Sequence, residues 1–328
     1  MSRAYSIQRP HFGRFGRSMT TLNRQYDRFL GSLTTLPSLR RLAVRQLTIR
    51  TRQRGRTVCY YVPFWLAELF DVRPVRTVMD VSLGNMFLYH YWTTRDDAID
   101  RAFPMDSTDA LVADLVLAKA LEFFLHTGVE GPLFAADLRR YMTTSLEAEK
   151  HLEQHNGQLR AFDRNSILMM GMKAALLNTS AAVLADVSGQ RALLATVEET
   201  LLRIAVALQM IDDLNDWRED LKRKVYSYPL YLAITSADRT KGGQSPEEPV
   251  ARALFAGGVA GAVLERARAS LGQASRCLSE SSRGVYVRSF IAELSGEIES
   301  VEDDLRLGRI DWRIGERVLR VRLQTGNT

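Results

Sequence analysis

The chain has 328 residues, a formal net charge of +6 and two cysteines. Cys59 and Cys277 lie far apart in sequence, which excludes a disulfide framework and a cysteine-based zinc site. No stretch of about 18 residues is apolar and free of charge, so the sequence predicts no membrane-spanning segment and a cytoplasmic location.

The basic residues are concentrated near the N-terminus. Residues 1–56 contain thirteen arginines and a single acidic residue, Asp27. Such a segment is typical of an arm that contacts phosphates or a membrane surface, of an organelle-targeting peptide, or of solvated helix faces. We predict a basic extension over residues 1–20, followed by a single domain over residues 21–328.

Apolar residues recur at every third or fourth position from about residue 20 onward, and no segment alternates with period two. One such row contains Leu111, Leu115, Ala118, Leu121 and Leu125. Breaks occur at Pro37, Pro104, 128–132, 156–157 and 188–189. The pattern predicts an all-α fold, with a mobile loop over the polar residues 235–249.

Two groups of aspartates stand out. The first is Asp96, Asp97 and Asp100 in "RDDAID", and the second is Asp212, Asp213, Asp216 and Asp220 in "IDDLNDWRED". Positions i, i+3 and i+4 of a helix share one face, so each group projects carboxylates from one patch. In the second group, we predict a row of carboxylates along one helix face over two turns, formed by Asp212, Asp216 and Asp220. Their repulsion calls for a neutralising cation.

Oxygen-only ligands favour Mg²⁺, which often shares its coordination shell with phosphate oxygens. Both aspartate groups follow apolar segments, "GNMFLYHYWTT" and "IAVALQMI", which indicates buried helices with carboxylates at the mouth of a cavity. A solvated acidic helix face is the alternative for either group. A further row at helical spacing contains Glu147, His151 and His155. We interpret it as a polar helix face, with a zinc site as the alternative. Glu147 or Glu149 is placed near the cavity rim.

The motifs "DDAID" and "LQMIDDLND" resemble the two aspartate-rich motifs of the trans-isoprenyl diphosphate synthase and class I terpene synthase superfamily. The segment "DLKRKVYSYPL" resembles the D-[IL]-x-x-G-K-x-[ST]-x-P segment that follows the second motif, with the diphosphate-binding lysine falling on Val225 and Lys224 beside it. The resemblance implies a helical bundle around a deep apolar cavity, commonly dimeric. A homodimer and about three Mg²⁺ ions with bound diphosphate are therefore expected.

The resemblance also implies roles for individual residues. The metal ligands would be Asp96, Asp97, Asp100, Asp212, Asp213, Asp216 and Asp220. The groups that contact diphosphate would be Lys173, Arg223, Lys224, Arg54 and Arg56. The residues expected to act in catalysis are Asp96, Asp97, Asp212, Asp213, Lys173 and Lys224. The cavity wall that shields a carbocation would include Tyr89, Tyr91 and Trp92.

Chain-elongating members of the superfamily usually carry Arg-Arg-Gly after the first motif, where this sequence has only Arg101. This departure favours a terpene cyclase that ionises one allylic prenyl diphosphate of about ten to twenty carbons, with fifteen preferred. Two alternatives stay open: a short-chain prenyl diphosphate synthase that adds isopentenyl diphosphate, and a non-catalytic partner subunit. No nucleic-acid partner and no integral membrane partner is expected.

Overall fold

The structure is a computed structural model that describes residues 16–33, 60–99, 107–237, 247–279 and 281–307. Its helices in chain order are α1 (Gly16–Leu33), α2 (Val62–Leu69), α3 (Val75–Ile99), α4 (Ser107–Leu125), α5 (Gly131–Leu152), α6 (Arg164–Met172), α7 (Thr179–Val187), α8 (Leu194–Asn215), α9 (Trp217–Arg223), α10 (Tyr228–Ser236), α11 (Glu247–Phe255), α12 (Val259–Cys277) and α13 (Val285–Arg306). Three 3₁₀ turns, Glu153–His155, Lys173–Asn178 and Arg191–Leu193, join some of them. Within the described ranges no residue belongs to a β-strand, which confirms the predicted all-α fold.

Helix α8 lies at the centre of the bundle. It packs against α12 on one side and α6 on another, while α3 and α4 form a second tightly packed pair. The apolar stretch before the second aspartate group is buried through Val206, Ala207, Met210 and Ile211. Burial of this helix holds the following aspartates at a fixed place at its C-terminal end.

Helix α3 passes through the interior over residues 81–88, which are buried on every side. The backbone at Gly84 lies against the ring of Phe124 on α4, and a Cβ atom there would come within 2.8 Å of that ring. A polar contact crosses the same region, because Ser180 Oγ donates to Asn85 Oδ1 at 2.9 Å. This pairing satisfies two side chains that water cannot reach.

The run Arg164–Val187 comprises α6, a 3₁₀ turn and α7, and it is long and apolar enough to cross a membrane by length and composition. About 61% of its most apolar window is buried inside the protein. The run contacts α5 and α8 along its length. Length and composition do not separate a bilayer-spanning helix from the central helix of a bundle, and these contacts are those of a central helix.

Several predicted boundaries are confirmed. Gly128, Gly157 and Gly189 each adopt a left-handed φ, of 82°, 71° and 70°, at the predicted breaks. Helix α1 begins at Gly16, so the last residues of the predicted extension are helical. Helix α10 reaches Ser236 and α11 begins at Glu247, so the predicted loop is shorter at both ends, and residues 238–246 lie outside the described part.

The apolar row on α4 correctly predicts a helix, but it is not the buried face. Leu111, Leu115 and Leu125 are 60%, 41% and 49% exposed. The residues of α4 that enter the core are Ala113, Val116, Ala120 and Phe124. Helix α4 therefore has apolar side chains on two faces, and the described part of the chain covers only one of them.

Candidate functional site

The first aspartate group lies at the end of α3. Asp96 and Asp97 belong to its last turn, but their side chains are outside the described part of the protein, as is all of Asp100. Arg54 and Arg56 also lie outside it. The roles predicted for all five of these residues therefore stay predictions.

The second aspartate group spans a bend between two helices. Helix α8 ends at Asn215, and α9 begins at Trp217, whose buried indole ring lies 6.1 Å from the ring of Phe255. The backbone N–H of Asp216 donates to the carbonyl of Asp212 at 2.9 Å, so hydrogen bonding continues across the bend. The N–H of Asp220 in turn donates to the carbonyl of Asp216 at 3.0 Å, and the predicted sharing of one face by these aspartates stays a prediction.

Asp213 is the carboxylate of this group that lines a cavity with other polar side chains. Gln209, one turn earlier on α8, donates its side-chain amide to Asp213 Oδ1 at 2.6 Å. Burial and the charges of Asp220 and Asp212 raise the pKa of Asp213 to about 8, against the opposing effects of the Gln209 hydrogen bond and Lys173. In the absence of a cation, Asp213 therefore holds a proton at neutral pH.

Lys173 approaches the same region from the run that follows α6. Its Nζ atom lies 3.2 Å from Oε1 of the buried Glu149 on α5. Gly171, two residues earlier, allows the chain to pack closely on α8, since a Cβ atom there would lie 2.6 Å from Val206. The lysine predicted to contact diphosphate is thus paired with a carboxylate, and Glu149 is near the cavity as expected.

A cavity of about 90 Å³ brings these groups together. We define its aspartate side as Glu149, Lys173, Gln209 and Asp213. We define its histidine side as His155, Phe162, Tyr226 and Ser227. Leu152, Met170 and Val225 complete much of the apolar lining. The cavity therefore joins part of the second aspartate motif to a polar corner that no motif indicated.

The backbone of the segment after the second motif is compatible with the family pattern. Lys224 occupies the glycine position of the pattern, and its φ of 58° is the left-handed conformation that glycine adopts most readily. Val225 occupies the lysine position and lines the cavity. Lys224 itself is exposed, and Arg223 donates to Glu219 at 2.6 Å on the surface of α9. The predicted diphosphate contacts of Lys224 and Arg223 stay predictions.

The carboxylates of the second group fit a hard cation, although they do not complete a site alone. Among the residues whose side chains the structure describes, no group of three or more His, Cys, Asp or Glu is close enough to hold a metal ion. The repulsion that raises the pKa of Asp213 is the effect that a bound cation would reverse. The oxygen donors are those that Mg²⁺ prefers.

The predicted aromatic wall lies one to two turns before Asp96 on α3. Tyr91 is buried, while Tyr89 and Trp92 are half-buried, with ring centroids 6.0 Å apart. Tyr60 meets Tyr89 edge to face at 5.6 Å. These contacts are compatible with core packing and with a cavity wall.

Sequence reasoning missed two members of the cavity. Gln209 lies inside the second motif, and its position four residues before Asp213 could have indicated the hydrogen bond. His155 was placed on a polar helix face, whereas it is buried in the 3₁₀ turn after α5. The break at 156–157 was the only local signal that the helix ended there.

The comparisons with known proteins concern the fold. No model of a protein family matches this chain, and no curated protein matches it. A polyprenyl synthase from Caulobacter crescentus CB15, solved with calcium and isoprenyl diphosphate, superposes with a TM-score of 0.67 at 16% identity, over 90% of this chain and 98% of that one. A geranylgeranyl pyrophosphate synthase from Lactobacillus brevis ATCC 367 gives a TM-score of 0.68 at 18% identity, over 89% of this chain and 99% of that one. A heptaprenyl diphosphate synthase from Staphylococcus aureus gives 0.66 at 14% identity, over 85% and 98%.

This chain has the all-α fold of these polyprenyl, geranylgeranyl pyrophosphate and heptaprenyl diphosphate synthases, as the resemblance of its two aspartate motifs implied.

Proposed function

We propose that this protein is a Mg²⁺-dependent enzyme that ionises an allylic prenyl diphosphate and releases diphosphate. One observation carries the proposal: Asp213 and Gln209 of the second motif share a cavity with Lys173. The fold supports it, since a polyprenyl synthase of the same fold was solved with calcium and isoprenyl diphosphate.

The residues that would hold the metal are Asp96, Asp97, Asp100, Asp212, Asp213, Asp216 and Asp220. Bound Mg²⁺ would neutralise charge on the departing diphosphate. Lys173 would exchange its contact with Glu149 for a diphosphate oxygen, and Gln209 would keep the Asp213 carboxylate oriented. Ionisation needs no nucleophilic side chain, because preorganised charges stabilise the leaving group.

We infer that a single diphosphate is the substrate and that the enzyme is a terpene synthase. A second diphosphate would need further cations, yet Val225 lines the cavity where the family pattern has lysine, and only Arg101 follows the first motif. Tyr91 and Trp92 lie outside the lining of this cavity, and as part of the predicted apolar wall on α3 they would limit the isoprenoid to about fifteen carbons. The product would be a terpene hydrocarbon or alcohol.

A prenyl diphosphate synthase is the second candidate. The structural resemblance to polyprenyl and geranylgeranyl diphosphate synthases favours it. A homodimer is proposed for either activity, since the exposed row of Leu111, Leu115 and Leu125 on α4 is an apolar surface that a second copy would cover.

The test is incubation of the full chain with geranyl, farnesyl or geranylgeranyl diphosphate and Mg²⁺, with and without isopentenyl diphosphate. Released diphosphate and organic products are measured by mass spectrometry. Turnover without isopentenyl diphosphate is the expected result. Strict dependence on isopentenyl diphosphate would establish the second candidate, and no turnover in any mixture would favour a non-catalytic partner subunit.

A further inference from the structure

Two residues of α5, one helical turn apart, hold Lys173. The hydroxyl of Ser145 donates to the main-chain carbonyl of Lys173, and Oε1 of Glu149 lies 3.2 Å from its Nζ atom. Residues at positions i and i+4 share one face of a helix, so both contacts come from the same face of α5. Helix α5 therefore fixes the backbone of the lysine and also pairs with its charge.

The Ser145 contact lies where the apolar run Arg164–Val187 changes its geometry. Helix α6 ends there, and the 3₁₀ turn Lys173–Asn178 begins. A side chain that inserts into the hydrogen bonding of a helix is a common cause of such a change, and Ser145 binds the carbonyl at this point. Because the backbone is anchored to α5, Lys173 reaches a ligand by rotation of its side chain, and Glu149 stays nearby.

The ion pair between Lys173 and Glu149 is largely shielded from water. Their side chains are 17% and 11% exposed. Opposite charges attract more strongly where water and salt do not screen them, and separating a buried pair costs more free energy than separating a surface pair. An anion that binds Lys173 must therefore overcome the attraction of Glu149.

Lys173 is the main cationic side chain of the cavity. Among the described residues that line it, Lys173 is the only lysine or arginine, and three carboxyl side chains, those of Glu149, Glu153 and Asp213, accompany it. Burial raises the pKa of Asp213, and the charge of Lys173 acts in the opposite direction, so the lysine also influences the second aspartate motif. The attraction of Lys173 for a diphosphate therefore depends on how much of its charge Glu149 balances.

We propose that Glu149 is a positioning residue that competes with diphosphate for Lys173 and thereby favours release of the diphosphate product. This inference rests on the proposed function, in which Lys173 contacts the diphosphate. Before substrate binds, Glu149 holds the ammonium group of the lysine at the cavity. After ionisation, the same carboxylate pairs with the lysine again as diphosphate leaves. The role of Glu149 requires no covalent bond and no proton transfer.

A glutamine at position 149 separates competition from simple orientation of the lysine. Its side-chain oxygen can still accept a hydrogen bond from Lys173, but it carries no charge, and such a bond is weaker than one to a carboxylate. If Glu149 competes for Lys173, Glu149→Gln should bind diphosphate more tightly. If Glu149 only orients Lys173 toward the ligand, the same substitution should weaken binding or leave it unchanged.

The experiment measures the binding of inorganic diphosphate to the full chain in saturating Mg²⁺ by titration calorimetry. Glu149→Gln should lower the dissociation constant about tenfold, because diphosphate no longer has to break a shielded ion pair at Lys173. Turnover of farnesyl diphosphate gives a second readout, since inhibition by added diphosphate should strengthen about tenfold for the same reason. A purely structural role of Glu149 would not make diphosphate bind more tightly.

Glu153→Gln is the matched control. Glu153 follows Glu149 by four residues, lines the same cavity and loses the same charge, but it is exposed to solvent. This variant should change the dissociation constant by less than about twofold, because solvent screens its charge. Lys173→Met tests whether Glu149 acts through the lysine. In that background, Glu149→Gln should also change the dissociation constant by less than about twofold.

Glu149→Asp keeps the charge but shortens the side chain by one methylene, so it should tighten diphosphate binding about threefold and replaces Glu149→Gln if that variant does not fold. Unchanged or weaker binding in these variants would overturn the inference, as would an equal gain in Glu153→Gln. Turnover of an allylic diphosphate by the wild type would then leave the proposed function intact. Absence of turnover with every allylic substrate would overturn the proposed function itself.

Discussion

The two sides of the cavity differ in how their polar groups are satisfied. On the aspartate side, Asp213 accepts from Gln209 and Lys173 lies beside Glu149. On the histidine side, His155 Nδ1 and Ser227 Oγ are buried without described partners. A ligand on the aspartate side would replace internal contacts, whereas these two atoms of the histidine side have no described contact to lose.

The ionisable groups Asp213 and His155, one on each side of the cavity, are both neutral near pH 7, but for opposite reasons. Burial and like charges raise the pKa of Asp213, so its neutral form is protonated. Burial lowers the pKa of His155, so its neutral form lacks the extra proton. A cation would reverse the first effect, because it restores the Asp213 carboxylate.

The largest effect is expected from removing the Asp213 carboxylate on the aspartate side. Asp213→Ala should reduce diphosphate release by about a thousandfold, since the metal would lose a ligand and the transition state its main electrostatic support. Steady-state release from farnesyl diphosphate measures this. Glu219→Ala is the matched control, because Glu219 belongs to the same acidic segment but pairs with Arg223 at the surface. Equal losses in both variants would contradict the distinction between cavity and surface carboxylates.

The same aspartate predicts how stability depends on pH. A folded pKa of about 8 against an ordinary value of 3.8 means that the native state binds the proton more tightly than the unfolded state does. The free energy of unfolding should therefore fall as pH rises from about 4 to 8. The slope should be that expected for the release of one proton on unfolding. Urea unfolding in a chelator at several pH values measures this. Asp213→Asn should remove that component, and an unchanged slope would show that Asp213 is not its source.

The position of Lys173 depends on close packing between α6 and α8. Gly171→Ala would place a methyl group 2.6 Å from Val206 and 2.9 Å from the Leu202 carbonyl, so the helices must separate. We expect a loss of about 1–3 kcal/mol in stability, measured by urea unfolding, together with lower turnover. Gly296→Ala is the control on α13, because nothing lies within 4 Å of its added Cβ and helix propensity improves. A stable, fully active Gly171→Ala protein would contradict the packing argument.

Much of the aspartate side could be predicted from sequence. The spacing of the aspartates is a local helical pattern, and the all-α fold follows from apolar periodicity. Lys173 and the segment ending at Pro229 were implied by the resemblance to a known superfamily. The break between α8 and α9 at Asp216 was not predicted, because the segment contains no Gly or Pro that would signal it.

The histidine side was not predictable for a related reason. His155 and Ser227 are 72 positions apart in the sequence, and their two loop segments meet in a backbone bridge. Neither residue stands in a pattern that signals burial of its polar atom. Long-range pairing of irregular segments leaves no periodic trace in a single sequence.

A smaller effect is expected from placing a cationic side chain at position 225, between the aspartate side and the histidine side of the cavity. Val225→Lys would place an ammonium group in the cavity, where it should lower the KM for an allylic diphosphate by about tenfold, equivalent to about 1.4 kcal/mol. Lys224→Ala should change KM less than twofold if the exposed Lys224 does not reach the substrate. A large increase in KM for Lys224→Ala would instead assign the diphosphate contact to Lys224.

The smallest effect is expected at Lys224, the residue before Val225. Lys224 has a φ of 58°, which costs an L-residue free energy that glycine does not lose, so Lys224→Gly should stabilise the fold by up to about 1 kcal/mol. Lys222→Gly is the control, since Lys222 lies within α9 and glycine there should cost about 1 kcal/mol. Opposite signs in urea unfolding would support the conformation of the segment that joins Val225 to Asn156. Destabilisation by both substitutions would mean that Lys224 does not adopt the left-handed turn.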